Sequence, residues 1–112
     1  MGDACLVFFL LLVGHALADQ PLQPAWLSAA KRRWSTEGRK GVWVMALGGH
    51  GLIHGGFVAL LTGSWVLGAA ETVAHALIDF AKCERKIGMW TDQTLHVLCK
   101  VVWVVIALDL LR

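Results

Sequence analysis

The chain has 112 residues, enough for one small domain and no more. Hydrophobic residues make up 57% of it and charged residues only 16%, whereas an average soluble domain is about 25% charged. This balance predicts an integral membrane protein. The formal net charge of +2 is too small to indicate a nucleic-acid partner, so none is expected.

The cysteines give no sign of a disulfide framework. Cys5, Cys83 and Cys99 are odd in number, and none belongs to a C-x-x-C pair. We therefore expect free thiols, with Cys99 packing as a small apolar side chain.

Residues 1–18 form the first apolar segment and allow two interpretations. The triplet A-L-A at residues 16–18 fits a signal-peptidase site. Against cleavage, the residues before the apolar run include Asp3 and no Lys or Arg, and the run ends at the polar His15; both features are unusual in a signal peptide. A short, retained first span is the favoured interpretation, and a cleaved signal stays open as the alternative.

Hydrophobicity along the chain predicts an all-α membrane bundle of about four short transmembrane helices. The longest has the roughly 20 residues that cross a bilayer. Gly51 and Gly55, four apart in the second span, permit close approach of another helix. A turn signal at residues 62–64 predicts an antiparallel hairpin between the second and third spans. The predicted spans cover residues 4–19, 42–62, 65–81 and 94–111.

Basic residues collect in two connections, 20–41 and 82–93. Pro21 and Pro24 end the first helix, and the rest of the first connection is either a short helix lying in the membrane interface or a solvated loop. Because the turn at residues 62–64 has no basic residue, the positive-inside rule places both connections in the cytoplasm. There they are expected to contact anionic lipid headgroups.

A polar stripe organises the third span. Glu71, His75 and Asp79 are spaced at steps of four, which places them on one face of a helix. His50 and His54 have the same spacing in the second span. Because ionisable groups inside a membrane are costly and face the bundle interior, the stripe and the histidine pair are expected to meet.

Imidazole and carboxylate also recur one helical turn apart in the rest of the chain. His15 is followed by Asp19, and Asp92 by His96, each at a step of four. A carboxylate at this distance fixes a histidine tautomer, either in a structural network or behind a metal ligand; both interpretations stay open. The predicted supporting network comprises His15, Asp19, Gln23, Lys82, Asp92, Gln93 and His96.

The order of these motifs resembles that of the domain of unknown function family 3307, small polytopic membrane proteins of bacteria and phages. H-x-x-x-D-x-x-x-Q starts at His15, H-x-x-x-D-x-x-K starts at His75, and D-Q-x-x-H matches from Asp92. The resemblance implies a multi-pass protein of the bacterial cytoplasmic membrane and no particular reaction. It also argues against discarding residues 1–18 as a signal.

The sharpest functional hypothesis is a hydrolase that depends on one divalent metal ion, zinc or a similar ion. His50, His54 and His75 would be the ligands, because catalytic zinc takes three protein ligands and keeps one position open. Glu71 would act as general base or fourth ligand, and Asp79 would orient His75. A lipid headgroup or a lipid-linked phosphate in the cytoplasmic leaflet is the expected substrate, held by basic residues at the rim.

Non-hydrolytic alternatives fit the same residues. Chains of Asp, Glu and His also relay protons or ions, which in so small a chain would require a homo-oligomer. A structural or adaptor protein would use the network to fix helix register. Haem ligation by His54 and His75 is a further alternative, although the nearby carboxylates Glu71 and Asp79 fit a harder cation better. Lys100 is interpreted as a snorkelling or register residue.

Overall fold

The protein is built from α-helices. Its computed structural model describes residues 3–110, and within that range it has five helices and no β-strand, which confirms the predicted all-α class. Residues 1 and 2 of the first segment and residue 111 of the fourth predicted span lie outside the described range. The helices are α1 (Ala4–Asp19), α2 (Ala25–Ala30), α3 (Val42–Thr62), α4 (Trp65–Cys83) and α5 (Met89–Leu110).

Local chemistry sets the helix ends. Asp3 caps α1 by accepting a hydrogen bond from the Cys5 amide at 2.9 Å. Gly63 ends α3 with a φ of 75°, a left-handed conformation that glycine adopts without a steric penalty. Ser64 then starts α4 by accepting from the Leu67 amide at 3.2 Å. The short turn makes α3 and α4 the predicted antiparallel hairpin.

Two helix boundaries differ from the sequence prediction. α4 continues to Cys83, beyond the predicted end at residue 81, and α5 begins at Met89 rather than at residue 94. The predicted polar connection 82–93 therefore shrinks to residues 84–88. Polar composition indicated a loop there, yet Asp92 is a buried helical residue whose carboxylate faces the bundle interior.

Small residues bring α3 and α4 into close contact. A Cβ added at Gly51 would lie 3.0 Å from the Thr72 carbonyl oxygen, and one at Gly55 would collide with the Thr72 hydroxyl. A Cβ at Gly68 would lie 2.7 Å from the Gly55 carbonyl oxygen. The predicted close approach through Gly51 and Gly55 is confirmed, and it brings the histidine pair of α3 within reach of His75 on α4.

Gly55→Ala is expected to destabilise the protein by about 1–3 kcal/mol, because the added methyl group must displace Thr72 and separate the two helices. Gly56→Ala is the matched control: nothing lies within 4 Å of a Cβ at that position, and alanine is the better helix former. Unfolding in detergent, followed by circular dichroism, compares the two variants. Equal stabilities would contradict the close packing of α3 on α4.

The described residues bury many ionisable side chains and expose many large apolar ones. Among the nine largest fully buried side chains of the described residues, seven are ionisable. Large apolar side chains such as Phe9, Leu60 and Leu77 are instead exposed, and such residues occur on all four long helices. By length and composition, α3 and residues Met89–Asp109 of α5 can each cross a membrane. α1 is apolar but has only 16 residues.

The two ends of the bundle have different interiors. Near the α3–α4 turn the buried core is apolar and consists of Val7, Leu11, Val58, Leu67, Trp103, Val104 and Ala107. At the opposite end, α1 and α4 finish while α3 and α5 begin. The polar residues in the last turns of the first pair and the first turns of the second pair therefore converge at that end.

Candidate functional site

Five histidines and three aspartates form one cluster, drawn from all four long helices. Each histidine is at most 9% exposed. The closest imidazole rings, those of His54 and His75, stack with their centroids 3.6 Å apart. The members are His15 and Asp19 of α1, His50 and His54 of α3, His75 and Asp79 of α4, and Asp92 and His96 of α5.

Asp19 is shared by three imidazoles. Its Oδ1 lies 2.8 Å from His54 Nε2 and 3.2 Å from His50 Nε2. Its Oδ2 lies 3.2 Å from His15 Nε2. The Gln23 side chain donates to the Asp19 carbonyl oxygen at 3.0 Å and holds the end of α1 in place. Asp19 and the two histidines of α3 therefore direct three donor atoms toward one point.

His75 lies between two carboxylates. Its Nδ1 is 3.1 Å from Glu71 Oε2, and because a carboxylate only accepts, Nδ1 must donate the proton. In the neutral ring, Nε2 then presents a lone pair to Asp79 Oδ2 at 3.5 Å. This buried Nε2 has no hydrogen-bond partner among the described residues. Two buried acceptors that face each other require a metal ion or a proton between them.

Glu71 is fully buried and held by three donors. Lys100 Nζ and Trp103 Nε1 each donate to its Oε1 at 2.8 Å, while His75 donates to its Oε2. Because the Lys100 ammonium already balances its charge, Glu71 is placed to orient His75 rather than to bind an ion.

Asp79 of α4 lies between a histidine of α3 and a histidine of α5. Its Oδ2 accepts from Lys31 Nζ at 2.9 Å and lies 3.7 Å from His50 Nε2. Its Oδ1 lies 3.3 Å from His96 Nε2. Lys31 directly follows α2 and is only 8% exposed, so this short helix and its cation cover the polar end of the bundle.

The charge balance of the cluster favours a further cation. Four carboxylates, three from aspartates and one from Glu71, face two buried lysines, Lys31 and Lys100. With all five imidazoles neutral, two negative charges remain without a buried cationic partner. A divalent ion would balance them. One set of donor atoms, all within 4.8 Å of one another, combines three imidazole nitrogens with one carboxylate and suits zinc or a similar ion; its members are Asp19, His50, His54 and His75.

A basic pocket of about 230 Å³ opens beside the cluster, with Asp79 in its wall. Four cationic side chains line it: Lys31, Arg32, Lys82 and Arg85. The guanidinium groups of Arg32 and Arg85 lie 5.6 and 4.6 Å from the centroid of the Trp34 ring, which positions both beside the opening. An anionic group such as a phosphate fits this combination of charge and geometry.

The loop after α2 is fastened to the end of α4. Arg33 donates to both carboxylate oxygens of Glu84, at 2.9 and 2.6 Å. This hydrogen bonding, with the charge of Glu84, raises the pKa of Arg33 above its ordinary value. Trp34 Nε1 donates at 3.0 Å to the Cys83 carbonyl oxygen, one of the carbonyls that a helix end leaves without a partner. The loop thereby forms one wall of the basic pocket.

Comparison with known families covers nearly the whole chain. The family model described as "Protein of unknown function (DUF3307)" matches residues 7–111. The chain belongs to this family. No curated protein and no solved structure matches it. Membership confirms the resemblance drawn from the order of the motifs and assigns no reaction.

In this DUF3307 member, the predicted metal ligands lie together. The ring centroids of His50, His54 and His75 are 3.6 to 5.1 Å apart. The two carboxylates of α4 have exchanged the positions expected of them: Glu71 contacts His75 Nδ1, behind the ring, and Asp79 lies on the Nε2 side. The reason is that a step of four fixes the shared face of a helix but not which residue of the stripe meets α3 and which meets α5.

The supporting residues also reach the cluster. Gln93 joins α1 to α5, because its Oε1 lies 3.3 Å from His15 Nε2 and its Nε2 donates to Asp92 Oδ2 at 3.0 Å. Lys82 lies 3.7 Å from Asp92 Oδ2, with nearly half of its side chain exposed at the rim of the basic pocket.

Two lysines have positions that the sequence analysis did not predict. The snorkelling interpretation of Lys100 is wrong, since its ammonium is buried against Glu71. The available signal was spacing: Lys100 comes four residues after His96 and so shares its face of α5. Lys31, expected at the headgroups with its neighbouring arginines, points inward to Asp79.

Proposed function

We propose that the chain is a membrane-embedded, metal-dependent phosphoester hydrolase that acts on a lipid-linked phosphate from the cytoplasmic leaflet. The observation that carries the proposal is the position of His75 Nε2, a buried acceptor without a partner that faces Asp79. It belongs to a donor set with His50, His54 and Asp19, next to a pocket lined by cations. A metal site and an anion site would therefore be neighbours.

The proposed membrane arrangement has α1, α3, α4 and α5 crossing the bilayer and α2 at its interface. An ionisable interior inside an apolar exterior supports it. The long axis of 47 Å is sufficient for a hydrocarbon core of about 30 Å. The positive-inside rule then places the basic connections, and with them the pocket, at the cytoplasmic surface of a bacterial membrane.

Asp19, His50, His54 and His75 are the proposed ligands, and zinc or a similar divalent ion fits three imidazoles and a carboxylate. A bound ion of this kind polarises a phosphoryl oxygen and lowers the pKa of a bound water to about 7. The chain supplies orientation: Glu71 fixes the tautomer of His75 from behind. Asp79 takes the place expected of Glu71, because it faces His75 Nε2 at 3.5 Å and also lies in the wall of the pocket.

A phosphate attached to a lipid is the proposed substrate. Arg32, Lys82 and Arg85 of the basic pocket would neutralise the phosphate, whereas the fourth cation, Lys31, already pairs with Asp79. An open apolar groove of about 390 Å³, lined by Trp43, Leu47 and Phe80 among others, lies between α3 and α4 toward the same end and would receive an apolar chain. Hydrolysis forms a bond from water oxygen to phosphorus, breaks the bond to the alcohol oxygen and moves one proton from the water to the departing alcohol.

Phosphate release by the purified protein tests the proposal. The lipid probe is a diacylglycerol phosphate in phosphatidylcholine vesicles, and the soluble probe is glycerol phosphate. After loading with Zn²⁺ or Mn²⁺, we expect release from the lipid probe that chelator abolishes and that His54→Ala lacks. No release from either probe by folded, metal-loaded protein would overturn the proposed hydrolysis. Release from the soluble probe alone would retain the hydrolase and overturn the lipid substrate.

Arg85→Gly is expected to stabilise the fold while weakening hydrolysis. Arg85 has a φ of 61°, which costs a non-glycine residue about 1 kcal/mol or more. Glycine removes that strain but also the exposed contact of the guanidinium with Trp34, so the melting temperature should rise by at most about 4 °C. It also removes a guanidinium from the basic pocket, so KM for the lipid probe should rise about tenfold, the equivalent of roughly 1.4 kcal/mol.

Lys40→Gly is the matched control for Arg85→Gly. Lys40 also has a positive φ, 59°, but it does not line the basic pocket. The control should gain stability with an unchanged KM. An unchanged KM in Arg85→Gly as well would contradict a role for this arginine in holding phosphate.

A relay of protons across the membrane is less well supported by the arrangement of side chains. The polar cluster ends at Glu71 and its partners Lys100 and Trp103. Beyond them, toward the α3–α4 turn, the core is apolar and includes Leu11 and Val58. A continuous path of exchangeable groups is therefore missing from that half of the described bundle.

A further inference from the structure

Four ionisable groups of the cluster lie outside the first donor set, and three of them, all except His15, form a second set of possible metal ligands. Donor atoms of Asp79, Asp92 and His96 lie within 4.8 Å of one another, and all three residues are buried. None of them belongs to the first set, which contains Asp19 and the histidines of α3 and α4. We propose that the site is dinuclear, with a second divalent ion held by these three residues and with Asp79 bridging the two ions. This inference rests on the metal site of the proposed function.

The two oxygens of Asp79 divide between the two donor sets. Oδ2 faces the first set, at 3.5 Å from His75 Nε2 and 3.7 Å from His50 Nε2. Oδ1 faces the second set, at 3.3 Å from His96 Nε2. A carboxylate that presents one oxygen to each of two ligand groups has the geometry of a bridging ligand. Paired metal ions in hydrolytic sites are typically about 3.5–4 Å apart, a spacing that one carboxylate can span.

Asp92 provides a second, independent observation. Its Oδ2 accepts a hydrogen bond from Gln93 Nε2 at 3.0 Å. Its Oδ1 is buried and has no hydrogen-bond partner among the described residues, although it lies 3.3 Å from His96 Nε2. A buried carboxylate oxygen without a hydrogen bond destabilises the folded state unless a cation contacts it. Gln93 thus orients Asp92 so that its free oxygen points at His96.

The two sets differ in chemistry. The first set has three imidazoles and one carboxylate, whereas the second has two carboxylates and one imidazole. The second set therefore offers harder ligands, in the sense of hard and soft acids and bases, and suits Mn²⁺ as well as Zn²⁺. Paired ions stabilise both the attacking and the leaving oxygen of an in-line displacement at phosphorus. A dinuclear site would thus narrow the proposed reaction class to phosphoester cleavage.

Nearby lysines provide the competing explanation. Lys31 Nζ lies 2.9 Å from Asp79 Oδ2, and Lys82 Nζ lies 3.7 Å from Asp92 Oδ2. These ammonium groups could balance the two aspartates without a second metal ion. The two explanations predict different numbers of bound ions, which makes stoichiometry the decisive measurement.

Equilibrium dialysis of chelator-treated protein against Mn²⁺, followed by elemental analysis, counts the ions. We expect two per chain, with a spin-coupled electron paramagnetic resonance signal in place of the six-line spectrum of isolated Mn²⁺. Asp92→Asn should reduce the count to one and restore the isolated spectrum. Glu84→Gln is the matched control, because it removes one carboxylate next to the end of α4 whose ion pair among the described residues is with Arg33, and it should keep two ions.

The possible outcomes separate the inference from the proposed function. One ion per chain in the parent protein, with an isolated Mn²⁺ spectrum, would overturn the second site and leave the first intact. Two ions retained in a folded Asp92→Asn variant would overturn the assignment of Asp92. No bound ion at all would overturn the metal site of the proposed function and this inference with it. Should Asp92→Asn fail to fold, the stoichiometry and spectrum of the parent protein still decide.

Discussion

Replacing Lys100 with methionine is expected to lower the free energy of unfolding by about 3–5 kcal/mol, because the change removes one partner of a buried ion pair. Lys100 Nζ donates to Glu71 Oε1 at 2.8 Å, and neither residue is more than 2% exposed. Without the ammonium, the Glu71 carboxylate keeps His75 and Trp103 as donors but loses its only balancing charge among the described contacts. Unfolding in detergent measures the loss.

Two further variants make this prediction specific to the buried charge. Glu71→Gln combined with Lys100→Met removes both charges and should recover most of the stability, because replacing a whole buried pair is close to neutral. Glu84→Gln breaks the exposed pair with Arg33 and should cost at most about 1 kcal/mol. A loss in Lys100→Met as small as that in Glu84→Gln would contradict the description of a buried, mutually dependent pair.

The largest expected effect on activity comes from His54→Ala, which should lower phosphoester hydrolysis by at least about 1000-fold. His54 Nε2 lies 2.8 Å from Asp19, and its ring stacks on His75 at 3.6 Å. Replacing His54 removes one of the three imidazole ligands from the middle of the first donor set. Lewis-acid stabilisation by a metal ion contributes several kcal/mol to a transition state, and about 4 kcal/mol corresponds to roughly three powers of ten in rate.

His15→Ala is the graded control for His54→Ala. His15 contacts Asp19 and Gln93 but lies outside both donor sets. Loss of a residue that supports a ligand typically costs about 10–100-fold in activity or metal affinity. Rates are compared per mole of protein that elutes as a folded species in detergent. Equal losses in the two variants, or full activity in His54→Ala, would contradict the assignment of His54 as a ligand.

Most of the helices, and most of the residues of the site, could be predicted from the sequence. Hydrophobicity predicted α1 and α3 with the observed ends, and the turn signal at residues 62–64 marked the end of α3 because it depends on near neighbours only. The five histidines and their carboxylate partners were also predictable from spacing, since four residues make one helical turn. The start of α5 was not, because the polar residues near Asp92 look like a loop unless their buried partners are known.

Pairing across helices could not be predicted from spacing. Glu71 and Asp79 are equivalent with respect to His75 in the sequence, and only the packing of α5 decides that Glu71 meets Lys100 while Asp79 meets His96. Lys31 reaches Asp79 because α2 folds back over the end of the bundle, which is a property of the loop conformation. Contacts of this kind depend on helix rotation and on loop geometry, and neither has a local signature.

X-ray absorption at the zinc K-edge shows whether imidazoles and carboxylates buried between the helices bind a divalent metal ion. Protein in detergent would be loaded with one equivalent of Zn²⁺ and freed of unbound ion by gel filtration. We expect retained zinc with nitrogen and oxygen ligands at about 2.0–2.2 Å, including the multiple-scattering signal of several imidazoles. Zinc lost on the column, or held by sulfur at about 2.3 Å through the cysteines, would contradict this expectation.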